Sequence, residues 1–427
     1  MNFLRLKHLV KEGNWLVISQ VGTVISALIL IRYLTEYLSI SEYGKLILSL
    51  TLATFFNSVV SNCLSMSIMR FYSIAAEENS KKNYLISVFQ LLKKATISIF
   101  LCTAIIIFVL AFLKQYDWIW LTLLVATLSI LDGYNVAFLS LQNAARQRSA
   151  YSILNLTNHI LKIPLSLLAV LWFGNKATSI VLAYIATLIL INSVQMFLLR
   201  KNSNQNQNQN QNQSVSYFSD SMLKFSYSFS FIGLFTWLHS ASDRWLLQLF
   251  STTTDVALYN VVYQLGFAPI GMATGLITSF IAPILYQRVG TAKDKDRNDS
   301  AKQIVWYIAL AGAITTAIAF CITIAFHGPI FYVLVAKEYQ FISYLLPWII
   351  LSGGLFATGQ VLALKLMSEM NLEALIRIKI STAVLGVLFN LVGVQYGLHG
   401  VSIGLLAYAL IYFVWMFSLF KRKNIIS

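Results

Sequence analysis

Apolar runs and short polar breaks alternate along nearly the whole chain, and each run has the length of a membrane span. A helix needs roughly 20 apolar residues to cross a hydrocarbon core. Twelve stretches meet that need: 15–35, 45–69, 95–113, 117–141, 151–173, 178–199, 225–250, 256–286, 303–327, 341–367, 374–396 and 399–420. Residues 84–94 are apolar with Lys93 and Lys94 beside them, which predicts an interfacial lead-in to the third helix. The pattern breaks once, at 204–213, where five Asn-Gln dipeptides run together. That tract has no apolar side chain to bury, so it predicts a solvated linker. The chain then divides into an N-terminal lobe at 1–199 (helices 1–6), a cytoplasmic linker at 200–221 and a C-terminal lobe at 222–427 (helices 7–12). The expected fold is an all-α integral membrane protein of twelve transmembrane helices in two six-helix lobes.

Charge decides how the spans are threaded. Cytoplasmic loops carry an excess of Lys and Arg. Of the 31 such residues, 24 fall in the N-terminal segment, the even-numbered loops and the C-terminal segment. Only Lys45, Lys114, Lys176 and Lys337 fall in the odd-numbered loops. This alternation predicts both termini in the cytoplasm. The apolar run after the basic first 14 residues is too long for a cleaved signal peptide and reads as the first spanning helix.

Composition agrees: 58% of residues are hydrophobic, 11% are charged, and the mean hydropathy is +0.70. Soluble domains carry about 25% charged residues, so this surface must face lipid. The net charge of +15 does not indicate nucleic acid. It sits in short loops, without a basic patch interleaved with aromatic residues. Cys63, Cys102 and Cys321 lie inside apolar runs without metal-ligand spacing. There is no phosphate-binding G-x-x-x-x-G-K-[ST] loop. No Asp-x-Asp of the kind expected of a lipid-sugar transferase occurs in an outer loop. A transporter is expected rather than an enzyme, with no catalytic residues, metal or cofactor.

The two halves echo one another. Arg32-Tyr33-Leu34 precedes an acidic turn at Glu42, and Arg244-Trp245-Leu246 precedes one at Asp255. Gly133 with Ala137 in helix 4 matches Gly359 with Ala363 in helix 10. Phe173-Gly174 before Ser179-Ile180 matches Tyr396-Gly397 before Ser402-Ile403. Six helices per half is an even number, so the repeat runs parallel, about an axis along the membrane normal.

Ionisable residues within spans are expensive and mark functional sites. Here they are Arg32, Asp132, Lys162, Asp243 and Arg244, with His159 and His239. Asn155, Asn158, His159 and Lys162 recur at three and four residues and share one face of helix 5. A polar stripe of this kind points at a wet interior, and these four are expected to line a substrate path. Arg32 and Arg244, in equivalent places, suit an anion such as phosphate, which guanidinium groups grip in a bidentate fashion. The alternatives are snorkelling to headgroups or pairing with Glu36 and Asp243. Asp132, His239 and Asp243 are candidates for binding a coupling ion, against a purely structural role.

These features resemble the Wzx-like polysaccharide (O-antigen and capsule) flippase family of the MOP exporter superfamily. The residues that carry the resemblance are Arg32-Tyr33-Leu34 with Glu42-Tyr43-Gly44, Arg70-Phe71, Asp243-Arg244-Trp245-Leu246 with Asp255-Val256-Ala257-Leu258-Tyr259, Ala336-Lys337-Glu338-Tyr339 and the segment Tyr396 to Ile403. The resemblance runs from about residue 10 to 420. It implies a MOP-type fold that flips an undecaprenyl-diphosphate-linked oligosaccharide from the cytoplasmic to the outer leaflet of a bacterial inner membrane. It further implies alternating access, a basic central cavity and coupling to a proton or sodium ion. Polymerase and chain-length proteins of the pathway would be its partners. The alternatives are a small-molecule antiporter of the same superfamily and a membrane polymerase.

Overall fold

In lipid every backbone polar group must be satisfied within the segment, which leaves helices as the economical solution for a chain this apolar. The computed structural model describes residues 3–203, 213–289, 295–368 and 372–421. Among these residues there is no strand. The helices are α1 (Phe3–Tyr37), α2 (Ile40–Glu77), α3 (Lys81–Phe112), α4 (Tyr116–Ala144), α5 (Arg148–Phe173) and α6 (Ala177–Ser203). They continue as α7 (Gln213–Phe250), α8 (Thr253–Val289), α9 (Lys295–Leu334), α10 (Leu346–Ser368), α11 (Leu372–Gly393) and α12 (Gly397–Lys421). A π turn at Asn57–Ser61 interrupts α2, and a 3₁₀ segment at Lys337–Leu345 leads into α10.

Ten stretches among the described residues are long and apolar enough to cross a membrane. The twelve expected spans differ from this count in two places. Ile376–Lys421 counts as one stretch although α11 and α12 are separate helices. The polar residues of α7, among them Asp220, Lys224, His239, Asp243 and Arg244, leave it outside the ten. The Asn-Gln tract at 204–212 lies outside the described residues.

Helices outrun the apolar windows because hydropathy marks only the part that lipid would cover. The clearest case is α3, which begins at Lys81 and runs straight through the segment expected to lie at the interface. Tyr84, Val88, Leu91 and Leu92 recur on one face and are buried against Ile68 and Ala75 of α2 and Phe218 and Met222 of α7. The Tyr84 hydroxyl donates to the Ile68 carbonyl at 2.7 Å.

The chain forms two compact units. One comprises residues 1–33 and 37–237, the other 34–36 and 238–427. In the first, α4 packs against α2, α3 and α6, and α5 pairs with α6. In the second, α10 packs against α8, α9 and α12, and α11 pairs with α12. The pattern is the same six positions on, so the sequence echoes correspond to a repeated packing scheme. The turns repeat as well. Ser39 caps α2 by accepting the Glu42 N–H at 3.3 Å, and Thr252 caps α8 by accepting the Asp255 N–H at 3.2 Å. Gly174 before α6 has φ +83° and Gly397 opening α12 has φ +63°. Backbone of that hand favours glycine, which explains why both echoes contain one.

Candidate ion and anion sites within the membrane helices

In the first unit the polar face of α5 is real, and α1 covers its beginning. The Ser19 hydroxyl donates to the Ser152 carbonyl at 3.0 Å and lies 3.5 Å from the Asn155 amide nitrogen. One turn further on, Asn158 is buried with no partner for its Oδ1. His159 and Lys162 follow, both half-buried. The Lys162 ammonium sits 4.9 Å from the centre of the Tyr184 ring of α6. No ion pair joins Lys162 to a carboxylate among the described residues. A cation–π contact of this kind is worth up to about 2 kcal/mol when desolvated, less than it costs to bury an ammonium group. Lys162 therefore has a ring contact and the electrostatic influence of Asp132, but no direct ion pair.

Asp132 of α4 is engaged elsewhere. Its Oδ2 accepts from the Asn57 amide at 2.6 Å. Asn57 opens the π turn of α2, a widening of the helix that often accompanies a functional site. Sequence spacing does not reveal Asn57, because the extra residue of a π turn leaves no compositional mark.

In the second unit Arg244 and Asp243 are side by side on α7, 5% and 3% exposed. Arg244 Nη1 donates to Asp243 Oδ1 at 3.1 Å and to the Ser240 carbonyl at 2.7 Å. Its Nε donates to Asn260 Oδ1 of α8 at 3.0 Å. The guanidinium lies 4.2 Å from the Tyr263 ring centre and 5.9 Å from that of Tyr259. This is a paired, hydrogen-bonded and aromatic-caged charge, the form in which a buried arginine is tolerated. His239, one turn before Asp243, does not bond to it. The imidazole stacks on Tyr408 of α12 at 3.7 Å, and its Nδ1 is buried without a partner. Between them Ser242 accepts from the Asn390 amide of α11 at 3.0 Å. Arg32 is half-buried near the end of α1.

The sequence profile of the family described as polysaccharide biosynthesis protein matches residues 9–289. The chain belongs to the polysaccharide biosynthesis protein family. No curated protein sequence matches it. Solved structures share its fold along almost the whole length. The lipid II flippase MurJ, in an inward closed conformation, superposes with a TM-score of 0.69 at 10% identity, covering 97% of this chain and 88% of that one. A MATE transporter in its straight conformation gives 0.62 at 14% identity, with 96% of each chain covered. A MOP superfamily transporter from Pyrococcus furiosus, whose reversed pocket polarity suggests a different function, gives 0.63 at 15%, with 97% of each covered. At these identities the likeness is one of fold, the MOP-type fold. With ten membrane-length apolar stretches among the described residues, this family member is a multi-pass membrane protein.

Within that fold the structure brings Asp243 and Arg244 together, and it seats Asn155 against α1. It forms no direct ion pair between Asp132 and Lys162, although the carboxylate acts on the ammonium electrostatically, and it does not bond His239 to Asp243. Tyr184, Tyr263 and Tyr408, the rings against Lys162, Arg244 and His239, were not singled out by sequence reasoning. For Tyr263 a signal existed: Tyr259 and Tyr263 are four apart and flank Asn260 on a helix that follows the arginine. Tyr184 and Tyr408 have no comparable local sign.

Proposed function

We propose that this protein moves an undecaprenyl-diphosphate-linked oligosaccharide from the cytoplasmic to the outer leaflet of a bacterial cytoplasmic membrane. Transport is by alternating access, coupled to a proton or sodium ion, and serves surface polysaccharide biosynthesis. The observation that carries this reading is the polysaccharide biosynthesis profile over 9–289, in a chain built almost wholly of membrane-length helices. A member of that family whose bulk lies in the membrane is suited to handling the pathway's lipid-linked intermediate. The fold likeness to a lipid II flippase supports the same substrate class.

Lys162 is the residue we assign to the diphosphate, because no direct ion pair holds its ammonium and the Asn155, Asn158 and His159 side chains beside it suit sugar hydroxyls. Arg32 and Arg244 are secondary anion contacts. Asp132, His239 and Asp243 are the candidates for the coupling ion. Both termini lie in the cytoplasm, and 200–221 links the lobes.

The likeness to MATE transporters favours a second reading, export of a small molecule. Deleting the gene separates the two. Complete lipid-linked repeat units accumulating on the inner leaflet, with loss of surface polymer, support the flippase. Unchanged polymer with sensitivity to toxic cations supports the exporter and overturns the first reading.

A further inference from the structure

A groove of about 520 Å³ runs between α4 and α6 of the first unit. Leu131, Tyr134 and Phe138 form one wall, and Ile189 and Phe197 stand on the other. Ile189 is 50% and Phe197 68% exposed, so in a bilayer the groove opens sideways onto hydrocarbon. The helices do not close it because α6 presents Asn192 and Ser193 there rather than bulky side chains. Asn192 donates to the Leu131 carbonyl at 2.8 Å and fixes the spacing of the two walls. Its Oδ1 is buried without a partner, so this wall is not shaped for a dry helix contact. The Ser193 hydroxyl is turned onto the Ile189 carbonyl at 2.7 Å, which leaves little polarity facing the space.

Two further features narrow the occupant. The walls carry three aromatic rings and the Met196 thioether, polarisable surfaces that suit the sp² carbons of an unsaturated chain. The α4 wall then runs into basic residues. Arg146 and Arg148 follow the end of α4. Phe138 is six residues from the end of α4 at Ala144, about 9 Å along the axis. An amphiphile lying in the groove thus has its anionic head at the basic end.

We propose that this groove is a subsite for the isoprenoid tail of the lipid carrier, occupied as the substrate is drawn from the inner leaflet. This rests on the transport reading above and adds a tail site to it. The tail is held along α4 and α6, and the groove sets the depth at which the diphosphate waits.

The test uses the full-length protein in phosphatidylcholine vesicles with undecaprenyl diphosphate carrying a diazirine on its chain. After illumination, labelled peptides are mapped by mass spectrometry. Labelling within 131–138 and 189–197, competed by unlabelled undecaprenyl diphosphate and not by phosphatidylglycerol, is the expected result. Ser193→Trp, which fills the groove, should cut that labelling about tenfold, the loss expected for displacing roughly two buried methylenes. Should Ser193→Trp fail to fold, Phe197→Ala decides by the same readout, since it removes a wall from an exposed position. Labelling elsewhere only, equal competition by phosphatidylglycerol, or unchanged labelling in the folded variant overturns the proposal. A blank groove in a protein whose deletion still accumulates complete repeat units sinks the tail site alone. A specifically labelled groove without such accumulation sinks the transport reading alone.

Discussion

Replacing Arg244 with methionine tests whether this arginine is architecture, ligand or both. The variant keeps the bulk of the side chain and removes its charge. At 3.1 Å from Asp243 Oδ1, and with an effective dielectric of about 20, the attraction lost is about 5 kcal/mol. Breaking a buried pair typically costs about 3–5 kcal/mol, mostly because the remaining charge is stranded. Asp243 is 3% exposed and has no route to water without local opening. The bonds to Asn260 and the Ser240 carbonyl add about 1 kcal/mol each. For a unit of this size, roughly 2–4 °C of melting temperature goes with each kcal/mol. Arg244→Met and Asp243→Asn should each therefore lower the melting midpoint of the detergent-solubilised protein by roughly 6–20 °C. The double variant strands neither charge and should recover most of that loss. Transport in the deletion strain then separates the roles. If Arg244 only supports the fold, transport returns with stability in the double variant. If it also contacts phosphate, the double variant is stable and inactive. Wild-type melting in both single variants would refute the reasoning, because it would mean that the pair does not hold α7 in place.

Lys162→Met should abolish transport while destabilising by less than about 1 kcal/mol, since Asp132 keeps its bond to Asn57; a large loss of stability would show that Lys162 is a structural counter-charge to Asp132. Gly233→Ala would drive a Cβ into the Ser58 carbonyl oxygen at the π turn of α2, and backbone cannot step aside as a side chain does. It should destabilise by about 1–3 kcal/mol, read as lower expression and melting. Gly174→Ala and Gly397→Ala should each cost about 1–3 kcal/mol for forcing a Cβ into a region of φ and ψ reserved for glycine; melting without change would contradict the turn geometry. Halving the tract at 204–213 should leave transport intact, whereas complete loss would exclude a simple linker.

Much of the fold is legible in the sequence because lipid simplifies the problem. A long apolar run with no water to satisfy its backbone has to be a helix, so the existence and approximate position of each helix follow directly. Glycines at 174 and 397 mark turns for the same local reason. What is not legible depends on how helices meet. The early start of α3 at Lys81 comes from burial against α2 and α7, and no hydropathy window contains those partners. The π turn at Asn57–Ser61 is set by contacts, among them the Asn57–Asp132 bond at 2.6 Å. For the sites, sequence reveals which charges are embedded but not which are already answered.

That last distinction separates the two halves. Internal repetition invites treating Arg32 and Arg244 as equivalents, because each stands near the end of the first helix of its half. Equivalent position does not give equivalent environment. Arg244 has Asp243 one residue away, Asn260 and Ser240 as hydrogen-bond partners, and two tyrosine rings around it. Such a group brings little free charge to an incoming anion while Asp243 stays paired with it. Lys162 lies on a different helix of the other half, with a ring against it and with Asp132 near enough to act on it but hydrogen-bonded to Asn57. The repeated scaffold therefore presents a cation without a direct ion pair in one unit and a directly paired one in the other. Under the proposed transport reading, that asymmetry assigns the cargo to Lys162 and leaves Arg244 bound to its own carboxylate.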